Sequence, residues 1–173
     1  QAMDSAWWAP SFVIPGEDRA RMMAFERALP GCVIVNQAGK RYMNEALSYH
    51  VAGGKMLAED TAEARTIPSW FLFDARYRAA YPVGPMLPGT PDWMIPKAMR
   101  SILVIASDWD DFAAQSGLPA DALKATMERF NAFARAGDDK DFARGGNAYD
   151  RYYGDPKVKP NANLRALEKA PFY

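Results

Sequence analysis

The residues best suited to acid–base chemistry in this sequence are a glutamate and a tyrosine four positions apart. Glu45 and Tyr49 follow Asn44, a good helix N-cap residue, and the spacing predicts that both side chains share one face of a helix beginning near Asn44. A carboxylate and a phenol held together could accept or donate protons. The same spacing is also typical of residues that only cap or pack a helix, so the pattern by itself leaves a structural role open.

Other reactive side chains are sparse. The sequence has one histidine, His50, and one cysteine, Cys32, which excludes an internal disulfide and any metal or acid–base site built on several imidazoles. Cys32 lies in a β-branched run and is predicted to be an inert, buried thiol. Asp138, Asp139 and Asp141 lack the glycine and the distal glutamate of a calcium loop, and we interpret them as solvated turn residues. No metal site is predicted.

Composition narrows the class of protein. The 173 residues are 49% hydrophobic, which predicts one globular domain over residues 1–173. Lys plus Arg and Asp plus Glu each number 21, so no global charge favours nucleic acid. The sequence has no apolar run near the ~20 residues that a transmembrane helix needs, and it lacks the glycine-rich dinucleotide and phosphate loops. A single cysteine favours a reducing compartment; we expect a cytoplasmic protein, with peripheral membrane association as an alternative.

The glutamate and the tyrosine are expected to lie in a strand–turn–helix unit. Cys32–Val35 is typical of a buried strand. Gly39 suits a hairpin turn that leads into a short second strand. The helix from Asn44 is expected to reach about Glu63, with a kink or break at its two adjoining glycines.

Further elements complete an α+β domain. The longest apolar 3.6-residue period predicts a helix at 119–137, and shorter or weaker patterns predict others. Helices are predicted at 17–29, 76–80, 102–117 and 119–137, and a further strand is predicted at 69–74. These elements define a fold class but no activity.

The segment 81–96 is different because it contains five prolines and two glycines, and it cannot form a regular helix or the interior of a sheet. A loop of this length in a compact domain is typical of a lid, a binding loop or a link. Its apolar residues include Met86 and Leu87, which predicts contact with a ligand or simple packing beneath the loop.

Two groups of motifs carry a family resemblance. The first is Asp4-Ser-Ala-Trp-Trp8 with the stretch from Leu29 to Ala46; the second is Tyr149-Asp-Arg-Tyr-Tyr-Gly-Asp-Pro156, followed by Lys159-Pro-Asn161 and Ala170-Pro-Phe-Tyr173. Together they resemble the substrate-capping domain of flavoproteins related to fumarate reductase, and in particular 3-ketosteroid Δ1-dehydrogenases. The resemblance covers essentially the whole chain.

The resemblance implies a small antiparallel sheet flanked by helices, in the capping catalytic domain of a two-domain flavoprotein. The FAD-binding domain would come from sequence on both sides of residues 1–173. The reaction would desaturate the C1–C2 bond of a 3-ketosteroid, with a hydride passing to FAD. By position, Tyr49 matches the tyrosine that takes the C2 proton, and Phe25 matches a steroid-facing aromatic residue. Met86 and Leu87, in the proline-rich loop, are expected to contribute an apolar wall that suits a hydrocarbon ligand. Core packing is the alternative for these three apolar residues.

Three hypotheses stay open at this point. The first is the Δ1-dehydrogenase cap. The second is the same cap in a related flavoenzyme, either a 3-keto-5α-steroid Δ4-dehydrogenase or a fumarate-reductase-like enzyme. A fumarate-reductase-like enzyme is disfavoured because its dicarboxylate substrate calls for clustered Arg and His side chains, and only Arg41 and His50 lie near the Asn44 turn in sequence. The third is a non-enzymatic module that binds an apolar ligand or a partner. Under the first hypothesis, the isolated chain would bind no flavin and catalyse no turnover.

Overall fold

The centre of the fold is an antiparallel pair of strands, β3 (Cys32–Val35) and β4 (Trp70–Phe73). The structure, a computed structural model, describes residues 6–173, so the first two residues of the Asp4–Trp8 motif lie outside the described residues. Cys32 pairs with Phe73, and Val35 pairs with Trp70. The two strand predictions are therefore confirmed, and so is the α+β class.

Both faces of this sheet are covered, which explains why all four residues of β3 are buried. Because side chains alternate along a strand, Val33 and Val35 pack on one side against α4 (Trp109–Ser116) and α5 (Ala120–Ala136). Cys32 faces the other side, in a cluster rich in aromatic residues. Its burial raises the pKa of the Cys32 thiol to about 11, as expected of an inert cysteine.

The helix predicted at 17–29 is wrong. Two short strands, β1 (Ser11–Phe12) and β2 (Arg21–Met22), pair there, and a 3₁₀ turn follows at Glu26–Ala28. Residues 15–22 are all exposed, so a helix over this stretch would bury no continuous apolar face. Most helical stability in proteins comes from such burial.

The helix that carries the tyrosine, α1 (Tyr49–Ala58), begins five residues later than predicted and ends before Glu63. Asn44 does not cap it, because its side-chain oxygen accepts a hydrogen bond from the Ala46 amide at 2.8 Å and forms a local turn instead. Ser48 is the N-cap, and its hydroxyl accepts from the Val51 amide. The short second strand expected before the helix is also wrong, since β3 pairs with β4.

The two glycines of α1 do not break it, since the helix runs through both of them, and they have different surroundings. A Cβ at Gly53 would lie 2.7 Å from the Trp8 Cβ and 2.8 Å from the Trp8 carbonyl carbon, whereas a Cβ at Gly54 would meet nothing within 4 Å. Gly53 therefore allows the N-terminal segment to cross the helix in direct contact.

This contrast predicts opposite effects of two neighbouring substitutions. Gly53→Ala is expected to destabilise the domain by about 1–3 kcal/mol because the Trp8 backbone must move. Gly54→Ala is the matched control and is expected to stabilise it by about 0.5–1 kcal/mol, the usual gain of alanine over glycine within a helix. Urea unfolding of both variants measures the difference, and equal stabilisation by both would contradict the close crossing.

The remaining helices are α2 (Ala75–Ala80), α3 (Lys97–Arg100) and α6 (Ala148–Tyr152), with a 3₁₀ turn at Asp92–Met94. The helix expected at 102–117 forms only as α4, because Ala106 pairs with Phe172 near the C-terminus and Asp108 caps the helix after it. The helix expected at 119–137 is confirmed as α5. Within residues 6–173, no helix combines the length and apolarity needed to cross a membrane.

Candidate active site

Tyr49 lies at the first position of α1 and is half-buried, outside the three hydrophobic clusters of the described residues. The Trp7 ring packs beside it, with ring centroids 6.3 Å apart, and lies at the same distance from the His50 ring. The first turn of a helix carries a partial positive charge, which favours negative charge developing there. Tyr49 therefore keeps part of its surface accessible while the Trp7 ring packs beside it.

Glu45 does not share a helix face with Tyr49, so the predicted acid–phenol pair is wrong. The carboxylate is fully buried and accepts two hydrogen bonds from Arg41, at 2.9 and 2.8 Å, and a third from Arg144 at 3.1 Å. Burial raises the pKa of Glu45, but the two guanidinium groups outweigh it and hold that pKa below 4.5. Glu45 is therefore a structural group that is ionised at neutral pH.

The same network corrects the interpretation of Asp139 as a solvated turn residue. Asp139 is 2% exposed and accepts hydrogen bonds from Arg41 at 3.1 and 2.8 Å. The Arg41 guanidinium also lies about 5 Å from the rings of Phe130 and Phe142. Arg41 thereby ties the loop after α5 to the segment that precedes α1.

A second buried carboxylate, Asp150, positions the aromatic helix α6. One of its side-chain oxygens accepts from the Asn44 amide group at 2.8 Å and from the Gly145 backbone amide at 2.9 Å. Tyr149, which precedes Asp150 on α6, is 46% exposed. Burial and the neighbouring phenols of Tyr153 and Tyr49 raise the pKa of Tyr149, while Arg27 opposes that rise. The phenols of Tyr49 and Tyr149 are thus electrostatic neighbours.

Arg27 links the Phe25 turn to the approach to α1. Its guanidinium donates to the Met23 carbonyl at 3.3 Å, the Glu45 carbonyl at 2.6 Å and the Leu47 carbonyl at 2.5 Å. The sequence patterns predict no functional role for Arg27. An arginine within the largely apolar run 22–29 was the signal that could have identified it.

The predicted substrate-facing residues have three different environments. Phe25 is 43% exposed and directly precedes the 3₁₀ turn that Arg27 ties to the Tyr49 segment. Leu87 is 65% exposed, on a loop whose Leu87 carbonyl accepts from Arg78 at 2.7 Å. Met86 is 2% exposed and packs in the aromatic cluster beneath that loop, so this structure leaves it no surface for a ligand. The contacts that join Phe25 to the Tyr49 segment do not extend to the Leu87 loop.

The described part of the chain contains neither a cluster of metal ligands nor a glycine-rich loop of the type that binds a dinucleotide. Residues 6–173 contain no group of three or more His, Cys, Asp or Glu side chains placed to hold a metal ion. Their strand pairs are both antiparallel, and the chain has no glycine-rich strand–turn–helix that could bind a pyrophosphate. The strand–turn–helix that holds a dinucleotide pyrophosphate is therefore not found among these residues.

Comparison with known proteins identifies the family. The model of the family described as "FAD binding domain" matches residues 1–173, and the chain belongs to this flavoprotein family, whose members use FAD. Proteins named 3-oxosteroid 1-dehydrogenase are 43% identical in Mycobacterium tuberculosis, over 99% of this chain and 31% of the relative, and 42% identical in Mycolicibacterium smegmatis, over 100% and 31%. The chain spans about a third of the length of these relatives. The resemblance to ketosteroid dehydrogenases is confirmed.

Other relatives share the same region of sequence. A Sinomonas cyclohexanicum protein named 4-oxocyclohexanecarboxylate 2-dehydrogenase is 40% identical over 97% of this chain and 29% of its own length. The related enzymes therefore include one whose name specifies a much smaller ring than a steroid.

Solved structures give the same result for the fold. The crystal structure of 3-ketosteroid Δ1-dehydrogenase from Sterolibacterium denitrificans, in complex with 1,4-androstadiene-3,17-dione, matches 96% of this chain and 30% of its own chain, at 37% identity and a TM-score of 0.86. A solution structure of a fumarate reductase flavoprotein subunit from Lactobacillus plantarum matches 94% of this chain and 92% of its own, at 19% identity and a TM-score of 0.56. The second match shows only the fold, but in a chain of nearly the same extent.

Proposed function

We propose that this chain is the substrate-capping catalytic domain of an FAD-dependent 3-ketosteroid Δ1-dehydrogenase. The observation that carries the proposal is the half-buried Tyr49 at the start of α1, in a chain 43% identical to a 3-oxosteroid 1-dehydrogenase. FAD, held by sequence outside this chain, would supply the acceptor for the hydride that leaves C1. Sequence on both sides of residues 1–173 would complete the site.

The role of Tyr49 follows from the chemistry of the ketone. A free phenol has a pKa of about 10 and is a weak base near neutrality. The C2–H bond of a 3-ketosteroid is acidified by the adjacent carbonyl, and donors to the carbonyl oxygen would stabilise the developing enolate. As the phenolate, Tyr49 accepts the C2 proton and becomes a neutral phenol, while the C1 hydrogen leaves with its electron pair as a hydride. Both C–H bonds break, and the electrons left at C2 form the C1–C2 double bond. Glu45 takes no part, because it is sealed among arginines.

The names of the relatives describe the same type of reaction. Desaturation at position 1 of a 3-oxosteroid and at position 2 of 4-oxocyclohexanecarboxylate both place a double bond between the α and β carbons of a cyclic ketone. The second substrate carries a carboxylate, which calls for a cation near the phenol. Arg27, the buried cation beside the Tyr49 segment, already donates to three carbonyls. The exposed aromatic surface of Phe25 and Trp7 favours the larger apolar ring system.

A direct assay tests the proposal. The full-length protein containing this chain is expected to desaturate androst-4-ene-3,17-dione with a synthetic electron acceptor, to give a product two hydrogens lighter, and to leave 4-oxocyclohexanecarboxylate essentially unchanged. Residues 1–173 alone are the matched control and are expected to bind no flavin and to catalyse neither reaction. Turnover of the carboxylate alone would assign the smaller substrate, and steroid binding without turnover would support a non-enzymatic module.

A further inference from the structure

Arg27 is a buried cation that has no carboxylate partner among residues 6–173. Its side chain is among the largest that are fully buried, with the residue 1% exposed. Between residues 6 and 173, no carboxylate oxygen lies within 4.0 Å of its guanidinium nitrogens, whereas Arg41 and Arg144 both pair with Glu45. Burying a charge without a counter-ion is costly, and an apolar side chain of similar volume would fill the space more cheaply. The geometry of its hydrogen bonds offers a reason for the arrangement.

The carbonyl oxygens that Arg27 binds belong to two segments, and each segment carries a candidate site residue. Met23 precedes Phe25 by two residues, and Leu47 precedes Tyr49 by two. A guanidinium is a rigid planar fork, so its donors fix both the distance and the angle between the groups they bind. One side chain therefore sets how the Phe25 turn lies against the beginning of α1.

The charge of Arg27 also acts on a tyrosine close to Tyr49. The guanidinium favours the ionised form of the Tyr149 phenol, which in turn is an electrostatic neighbour of Tyr49. The backbone carbonyl of Arg27 accepts from Arg144 at 3.1 Å, so the residue is itself anchored to the network around Glu45. Arg27 is therefore held through both its side chain and its backbone, which limits the relative movement of the two segments that it joins.

We propose that Arg27 is a positioning residue for the desaturation reaction, which holds the Phe25 turn and the Tyr49 helix at the separation that places the phenol against the reacting carbon. This inference rests on the proposed function of Tyr49. Arg27 touches neither substrate nor reacting atoms in this role and acts through the two segments that it joins.

The test compares two arginine variants in the full-length flavoprotein. Arg27→Met removes all three donors and is expected to lower kcat by about 10- to 100-fold, because misplacing a catalytic group by about 1 Å costs about 100-fold. The KM for the steroid is expected to change much less. Arg76→Met is the matched control, since Arg76 also donates to a backbone carbonyl, that of Ala166, and pairs with buried Asp74, but lies outside the site; its kcat per flavin-loaded enzyme is expected to be unchanged.

Two further readouts separate positioning from general destabilisation. With substrate deuterated at C2, Arg27→Met is expected to raise the isotope effect on kcat, because proton transfer becomes the slow step. Added to Tyr49→Phe, it is expected to change the remaining rate by no more than about twofold, because the losses of two residues that act through the same group are not additive. Equal kcat values for the Arg27 and Arg76 variants, or full multiplicative losses in the double variant, would overturn the inference.

The outcomes also distinguish this inference from the proposed function. If Tyr49→Phe retains full turnover, the role of Tyr49 fails whatever the Arg27 variants do. If Tyr49→Phe is inactive while Arg27→Met is as active as the parent, only the positioning role fails. Should Arg27→Met not fold, Arg27→Lys keeps the charge but has no planar fork, and an unchanged kcat in that variant would count against the inference in the same way.

Discussion

Replacing Tyr49 with phenylalanine in the full-length flavoprotein is expected to lower kcat for steroid desaturation by about 100- to 10,000-fold, the range typical of a lost general base. The substitution removes only the hydroxyl, and the ring that packs beside Trp7 stays in place. Steroid affinity and flavin content are therefore expected to be unchanged. The measurements are steady-state kinetics with a synthetic acceptor and a titration of the product steroid by flavin absorbance.

The matched control for this experiment is Tyr152→Phe, which removes a hydroxyl from a tyrosine that is 81% exposed on α6. Its turnover is expected to equal that of the parent. Equal kcat values for the parent and Tyr49→Phe would rule out the proton-abstraction role. A loss of steroid binding together with turnover would instead give the Tyr49 hydroxyl a role in binding.

The sequence predicted those parts of the fold in which local pattern and tertiary burial agree. The β-branched run of β3 and the apolar period of α5 both appear as expected, because each presents a continuous apolar surface to the core. The stretch 17–29 failed for the opposite reason. Its composition suits a helix, but its first half is exposed and buries nothing, so local propensity had no packing to support it.

The acid–phenol pair failed because charge pairing across the chain decided the position of Glu45. Its partner Arg144 lies 99 residues away in sequence and joins it only in the fold. The Asn44 side chain, which suits a helix cap, likewise donates a hydrogen bond to Asp150, 106 residues away. A spacing rule of four residues cannot anticipate such partners. Tyr49 is on a helix as predicted, but at its first position, because Ser48 supplies the cap in place of Asn44.

The buried network around Glu45 yields the second large prediction. Glu45→Gln is expected to destabilise the isolated domain by about 3–5 kcal/mol, because it leaves two buried guanidinium groups facing a neutral amide. Glu59→Gln is the matched control: Glu59 is an exposed glutamate 3.7 Å from Lys55, where loss of an ion pair costs about 0–1 kcal/mol. Chemical unfolding at neutral pH measures both values, and equal stability of the two variants would contradict a structural role for Glu45.

The pH dependence of the same variant tests the cause. The folded-state pKa values of Glu45 and Asp139 are held below their ordinary values of 4.5 and 3.8, chiefly by Arg41 against the opposing effect of burial. A carboxylate with a depressed pKa stabilises the fold fully above its unfolded-state pKa, and this stabilisation is lost as pH falls through the folded-state value. The parent is therefore expected to lose stability steeply below about pH 4.5. Glu45→Gln has one fewer such carboxylate, so its stability should fall less steeply over that range, and parallel curves for the two proteins would show that the acid sensitivity arises elsewhere.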